Sequence, residues 1–145
     1  MSEHIQDQIR TKELLLVDNE GCTRARLGSD ESGGVTLNFF DSKASSRAKI
    51  GILPDGKATV SLSRADGSSH FCLLVDEEGH SLMIGYDNDG VERFKLDIQG
   101  NGSHTELSFS DKNKKPRMVM MSEDRGPAGL FILDHHGKAL FTTIP

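Results

Sequence analysis

The chain has 145 residues and a net charge of −5, with 35% hydrophobic and 27% charged residues. This length and composition are those of one domain with a core. The negative charge argues against binding to nucleic acid or to an anionic membrane, because such binding needs a positive surface. The N-terminus has no signal-peptide core, and no apolar run reaches the ~18 residues of a membrane helix. We therefore expect a cytoplasmic protein that binds neither nucleic acid nor membrane.

The first twelve residues are predominantly polar and differ from the rest of the chain. Ile5 and Ile9 are four residues apart, which is compatible with about two turns of helix, although so short a helix is marginal alone. We expect residues 1–12 to form a short N-terminal cap over the first strand. A small seam for oligomerisation is the alternative.

From Glu13 onward, turn signals of the Asp-x-x-Gly type recur at steps of 11 or 12 residues. The first residues of these eleven turns are Asp18, Asp30, Asp41, Leu53, Arg64, Asp76, Asp87, Gln99, Asp111, Glu123 and Asp134. An Asp in the first position can accept hydrogen bonds from the turn backbone, and Gly in the fourth tolerates positive φ. Connections this short permit only antiparallel neighbours. The turns therefore separate about twelve short strands.

The predicted fold is all-β: six 23-residue β-hairpin repeats over residues 13–145 form one antiparallel up-and-down meander. Between the turns, apolar residues alternate with other residues, so that one face of the sheet is apolar throughout. On this face, small residues such as Ala25 and Ala48 in early repeats give way to Phe and Met in later ones. Such a face must be buried, and three arrangements are open: a closed barrel, a two-layer sandwich, or a prism-like oligomer.

The opposite face of the predicted sheet carries a basic ladder at one position of the repeat, made of Arg24, Arg47, Arg93 and Arg117. These side chains could be solvated and paired across strands, each pair contributing about 0.2–1 kcal/mol. Alternatively, the ladder could bind an extended polyanion or an acidic partner. The pattern favours the first interpretation, because His70 and Leu140 interrupt the ladder.

The same face also carries apolar residues that are too numerous for scattered surface positions. They are Leu15, Val17, Phe40, Ile84, Tyr86, Phe131 and Leu133. Apolar patches of this kind normally mark interfaces, so we predict that these residues form subunit or protein contacts.

The residues that could carry chemistry do not form a recognisable site. Cys22 and Cys72 fit no metal or redox spacing, and Cys72 next to His70 lacks a third catalytic member. His135 and His136 lie within a predicted turn, as does the calcium-loop-like segment 87–90, which lacks the acidic residue at its twelfth position. The sequence therefore predicts no catalytic, cofactor-binding or metal-binding residue, and no cofactor.

The 23-residue hairpin period resembles that of MORN-type repeat proteins, which are extended antiparallel meanders used as scaffolds. The resemblance covers repeat length and topology. The Tyr-x-Gly-x-Trp-x-x-Gly signature of that family is absent, and the chain contains no Trp.

These observations predict a non-enzymatic structural or interaction protein, a self-associating β-repeat scaffold or binding module. We expect a homo-oligomer that could also bind another protein. The alternative is a β-barrel that binds a small apolar ligand in an interior lined by Phe and Met. The lining would comprise Phe71, Phe94, Phe109, Met118, Met120 and Phe141.

Overall fold

The computed structural model describes residues 8–143, which form a single twelve-stranded sheet. The strands are β1 (Glu13–Val17), β2 (Thr23–Ser29), β3 (Val35–Phe40), β4 (Ser46–Ile52), β5 (Ala58–Ser63), β6 (Ser69–Val75), β7 (Ser81–Tyr86), β8 (Glu92–Ile98), β9 (His104–Ser110), β10 (Pro116–Glu123), β11 (Ala128–Leu133) and β12 (Ala139–Thr142). Each strand pairs antiparallel with its neighbour in the chain. The predicted all-β meander is confirmed, and no helix occurs among the described residues.

The predicted tetrapeptides form the turns. In the first of them, the Gly21 N–H donates to the carbonyl of Asp18 at 3.0 Å, and the Asp18 carboxylate accepts hydrogen bonds from the backbone N–H of Glu20 and Cys22. The fourth residue has positive φ in eight turns with Gly and in two others, at Ala44 (φ 59°) and Lys114 (φ 62°). The same local hydrogen bonds therefore recur along the chain and fix strand length and direction.

Two turns depart from this pattern. Between β8 and β9 the Gln99 N–H donates to the carbonyl of His104, five residues on instead of the usual four. This extra residue is why one step of the repeat is 24 residues instead of 23. Between β10 and β11, Gly126 precedes Pro127 and does not adopt the positive φ of the other turn glycines.

The sheet is open and forms a single layer. Strands β1 and β12 lie at its two ends and each pairs with one other strand, so the described residues form neither a closed barrel nor a two-layer sandwich. Among the described residues, Ala25 is the only apolar side chain less than one-tenth exposed. Residues 8–143 therefore enclose no core of their own.

Residues 8–12 lead into β1 without forming a helix. The rest of the predicted N-terminal cap, including Ile5, lies outside the described residues. None of the described residues forms a helix that is long and apolar enough to cross a membrane.

Candidate interaction surfaces

The strand registers align the apolar residues into rows that cross the whole sheet. The central row is Leu14, Leu27, Leu37, Ile50, Val60, Leu73, Met83, Leu96, Leu107, Met120 and Leu130. A second row is Leu16, Ala25, Phe39, Ala48, Leu62, Phe71, Gly85, Phe94, Phe109, Met118, Ile132 and Phe141. A third, more polar row includes Val35, Ile52, Ala58, Val75 and Ile98. We call the surface made by these rows the apolar face.

None of residues 8–143 covers the apolar face. In its N-terminal half, the exposed fractions of Phe39, Ile50 and Leu62 are 45–48%. In its C-terminal half, Met120 is 50% exposed. Phe94 and Phe109 pack edge to face on adjacent strands with ring centroids 5.6 Å apart, which is a favourable aromatic geometry. Small side chains of the second row lie in β2 and β4, and bulky ones predominate from β8 to β12. The predicted increase in side-chain size along the chain is thus a feature of one row of this face.

The opposite surface, here called the charged face, is formed by the alternate residues of the same strands, among them Arg24, Asn38, Lys49, Ser61, Cys72 and Lys95. The four ladder arginines lie on it, and each reaches the first aspartate of its own hairpin turn. The N···O distances are 2.7 Å for Arg24–Asp18, 3.3 Å for Arg47–Asp41, 3.1 Å for Arg93–Asp87 and 3.8 Å for Arg117–Asp111.

The arginines also bond to the next strand along the sheet. The Nε–H groups of Arg47, Arg93 and Arg117 donate to the carbonyls of Ser63, Ser110 and Leu133 at 2.7–2.9 Å. Each of these guanidinium groups therefore links its own turn to a neighbouring strand. The ladder arginines thus form ion pairs with their own turn aspartates, and three of them also donate to a backbone carbonyl of the next strand.

The turn aspartates that pair with the ladder arginines have lowered pKa values. Hydrogen bonds from the Cys22 backbone lower the pKa of Asp18, with the Arg24 charge adding to the effect. The pKa of Asp87 is lowered in the same way by the backbone of Val91 and by Arg93. An ionised aspartate accepts the backbone donors of the turn with one oxygen and pairs with the arginine through the other.

The predicted interface residues all lie on the charged face but do not form one patch. Leu15 and Val17 lie at the N-terminal end of the sheet in β1 and are 47% and 51% exposed. Phe131 and Leu133 are half-buried in β11, near the other end. Ile84 is half-buried in β7, near the middle of the sheet.

Phe40 and Tyr86 complete the predicted set and lie on the same face, in β3 and β7. Phe40 is half-buried, and with Leu15 it lines an open groove of about 680 Å³ whose other residues include Arg24 and Arg26. Burial raises the pKa of Tyr86, and contact with Cys72 adds to the rise. The structure therefore brings Leu15 and Phe40 together and separates them from the members in β7 and β11.

A polar cluster that the sequence analysis did not identify lies on the charged face between β7 and β8. The Asp97 carboxylate is 9% exposed and is within hydrogen-bond distance of His80 Nε2 (2.9 Å), Lys95 Nζ (2.7 Å) and Gln99 Nε2 (3.2 Å). The other nitrogen of His80, Nδ1, lies 3.5 Å from Asp76. The one available signal was position: Asp97 occupies the repeat position held by Gly28, Gly51, Leu74 and Met121 in other even strands.

The charge state of this cluster follows from its contacts. Burial acts to raise the pKa of Asp97, but the hydrogen bonds and charges of Lys95 and His80 outweigh it and lower the pKa. The hydrogen bond to Asp97 in turn raises the pKa of Lys95. The cluster is thus a buried carboxylate with three donors around it, an arrangement that stabilises the sheet.

The other residues considered for chemistry stay in ordinary structural positions. The rings of His135 and His136 are in contact in the turn before β12, tilted by 45° with centroids 3.8 Å apart. Cys22 and Cys72 are free thiols. Within residues 8–143 the structure contains no group of three or more His, Cys, Asp or Glu side chains that could hold a metal ion.

No protein-family model matches the sequence, and no curated protein matches it either.

Proposed function

We propose that the protein is a non-enzymatic structural protein: a self-associating β-repeat scaffold whose apolar face is buried against further copies of the chain. The observation that carries this proposal is the exposure of a continuous apolar face on a single-layer sheet. Stable domains normally consist of at least two packed layers, because a sheet must bury its apolar side against another element. Here the described part of the chain supplies one layer only.

The size of the apolar face supports a second copy as its cover. Twelve strands with standard spacing, each contributing about five residues, give a face of roughly 900 Å². Two such faces packed together would bury about 1,800 Å², within the range of about 1,200–2,000 Å² for stable protein interfaces. Soluble monomers rarely expose apolar patches larger than about 300–600 Å².

The charged face would then form the outside of the assembly. Its ladder arginines are paired with turn aspartates, and its connections are short turns without the long mobile loops that usually carry active sites. This supports a role in assembly and display, with the charged face available to a further protein partner. We infer a cytoplasmic scaffold that needs no cofactor.

The alternative of a barrel with a small apolar ligand has less support. Such a barrel needs an enclosed interior, and β1 and β12 lie at opposite ends of an open sheet. The residues that would line the barrel, including Phe71, Phe94 and Met120, instead belong to the uncovered apolar face.

The absolute mass in solution tests the proposal. Light scattering behind a sizing column, across about a hundredfold range of concentration, should give a multiple of the 15.9 kDa chain mass. A stable monomer over the whole range would contradict the proposal, because the apolar face would then need no partner.

A matched pair of substitutions identifies the surface. Leu62 and Ser61 are adjacent in β5 and lie on the apolar and the charged face, respectively. Leu62→Glu would place a carboxylate in the buried interface and should reduce the assembly to its smallest species, because an unpaired buried charge costs several kcal/mol. Ser61→Glu adds the same charge opposite Lys49 and should leave the mass unchanged. Equal effects of the two variants would contradict burial of this face.

A further inference from the structure

The two edge strands form a second exposed surface, distinct from the apolar face. Every residue of β1 (Glu13–Val17) and of β12 (Ala139–Thr142) is exposed. Natural sheets usually protect their edges with lysine, proline or inward-pointing charge, yet neither strand contains a proline and Glu13 is their only charged residue. Because alternate strands of the meander reverse direction, β1 and β12 run antiparallel to each other.

We propose that β12 of one copy pairs with β1 of a second copy, so that the antiparallel sheet continues from chain to chain. The repeat itself predicts the register. Phe141 is the counterpart of Ala25, which lies opposite Phe39, and the counterpart of Phe39 one repeat earlier is Leu16. Phe141 would therefore lie opposite Leu16 of the second copy, and Thr142 opposite Leu15. The second row of the apolar face, which reaches Phe141 in β12, would then continue across the junction.

The charged face gives independent support. Its exposed large apolar side chains, among the described residues, are Leu15, Val17 and Leu140, and all three are in the edge strands. Leu140, which is 66% exposed, takes the repeat position that Arg24 and Arg117 occupy in interior strands. In the proposed register Leu140 lies beside Val17 of the second copy. The edges are therefore apolar on both faces, which favours pairing over exposure to solvent.

Contacts between neighbouring turns add charge complementarity. Lys115 Nζ donates to the carbonyl of His135 at 3.1 Å, joining the turn before β10 to the turn before β12. Lys138 holds the same place one repeat later. In the continued sheet its ammonium group would reach the carbonyl of Asn19 in the first turn of the second copy, next to the carboxylate of Glu20.

This pairing is heterologous, because it joins two different strands of the same chain. Repetition gives a ring if the rotation closes and a filament if it does not. The inference goes beyond the proposed function, since it concerns the edges and does not depend on which surface covers the apolar face. Measurements at the edges therefore test it separately from the mass measurement described above.

The test is site-specific cross-linking in full-length protein with Cys22→Ser and Cys72→Ser. Leu15→Cys and Thr142→Cys are made in separate proteins, which are oxidised alone and as a mixture. Opposed residues on paired antiparallel strands have Cβ atoms about 4.5–5.5 Å apart, close enough for a disulfide to form with a small adjustment. We expect a cross-linked pair in the mixture and none in either protein alone.

Several outcomes would overturn the inference. Cross-linking of the Leu15→Cys protein with itself would mean that β1 pairs with β1, and self-cross-linking of Thr142→Cys would mean the same for β12. Absence of any cross-link would mean that the edges stay unpaired. A protein with Thr59→Cys, in the interior of the charged face, is the control for random collision. If its mixture with the Leu15→Cys protein cross-links as well as the mixture of Leu15→Cys and Thr142→Cys, the proposal is contradicted.

Two further variants test the side chains at the junction. Leu140→Arg introduces the arginine that interior strands carry at this repeat position. It should lower the cross-linking yield about tenfold, the equivalent of 1.4 kcal/mol. Leu140→Met should preserve the yield. Lys138→Glu in the Thr142→Cys protein should also lower the yield, and Glu20→Lys in the Leu15→Cys protein should restore it. A yield unaffected by Leu140→Arg would contradict the assigned register.

Discussion

The two faces of the sheet are made by alternate residues of the same strands. A single chain pairs the polar groups of the charged face but leaves the apolar face exposed. On the charged face, Asp97 has three donors within hydrogen-bond distance, and Arg93 bonds both to its turn aspartate and to a neighbouring strand. On the apolar face, Ile50 and Met120 remain about half exposed, because nothing in the described chain covers them. Polar groups can pair within one layer, whereas apolar side chains need a second layer. We therefore expect the charged face, whose polar groups are paired within one chain, to form the outer surface of the assembly.

The largest expected effect comes from the bulky half of the apolar face. Phe109→Ala removes one ring of the Phe94–Phe109 pair and leaves a cavity if the face is covered in the assembly. We expect the free energy of unfolding to fall by about 3 kcal/mol or more, measured by denaturant titration.

Ser108→Ala is the matched control on the charged face. Ser108 is adjacent to Phe109 in β9 and is 8% exposed. Ser108→Ala should lower the free energy of unfolding by clearly less than Phe109→Ala does. A loss below about 1 kcal/mol for Phe109→Ala would show that this face stays in solvent, since exposed positions usually change stability by about 0.5 kcal/mol or less.

At Gly51 on the charged face, the backbones of adjacent strands leave no room for a side chain. A Cβ at Gly51 would lie 2.7 Å from Thr36 Cα and closer still to the carbonyl of Val35. Gly51→Ala should therefore lower the free energy of unfolding by about 1–3 kcal/mol, as overpacking does elsewhere.

Gly28 occupies the same repeat position in β2 and is the control, because a Cβ there would meet Glu13 Cγ at an ordinary 3.6 Å. Gly28→Ala should have little effect. Equal losses for the two variants, in the same denaturant titration, would mean that close strand approach is not the cause.

The Asp97 cluster should make the stability of the charged face depend on pH. Because Lys95 and His80 lower the pKa of Asp97 in the folded protein, its stabilising contribution is present above the ordinary Asp pKa of about 3.9 and is lost as the pH falls below it. Asp97→Asn should cost about 1–2 kcal/mol at neutral pH.

Thermal unfolding between pH 3 and pH 7 is the measurement. The difference in stability between the wild type and Asp97→Asn should shrink as the medium becomes acidic. A constant difference across this range would contradict the role of the Asp97 charge.

The smallest effects belong to the turns, which lie on neither face. Ala44 has φ of 59°, a left-handed conformation that glycine adopts without steric cost. Ala44→Gly should raise the free energy of unfolding by about 0.5–1 kcal/mol without changing the oligomer. Gly67→Ala, at the same turn position with φ of 84°, should lower it by a similar amount. A change in mass for either variant would show that the turns take part in association.

Much of the fold could be predicted because its signals are local. The alternation around Ile50 and Val60 assigns both residues to one face, and the tetrapeptide Leu53–Gly56 specifies a two-strand turn without reference to distant residues. Whether the predicted interface residues form one patch was harder to predict, because Leu15 and Phe131 share a face but lie at opposite ends of the sheet. Their distance depends on whether the sheet closes, which no local pattern encodes.

The sequence by itself determined the number, length and order of the strands and the division into two faces, because turn chemistry and period-two alternation act within about a dozen residues. Only the tertiary structure decided that the sheet stays open, that Arg47 pairs with the aspartate of its own turn, and that His80 and Lys95 converge on Asp97. These features depend on strand register and on where each side chain points within its hairpin, which the alternation of apolar residues does not encode. His80 and Asp97, 17 residues apart, meet because the register of β7 and β8 places them side by side.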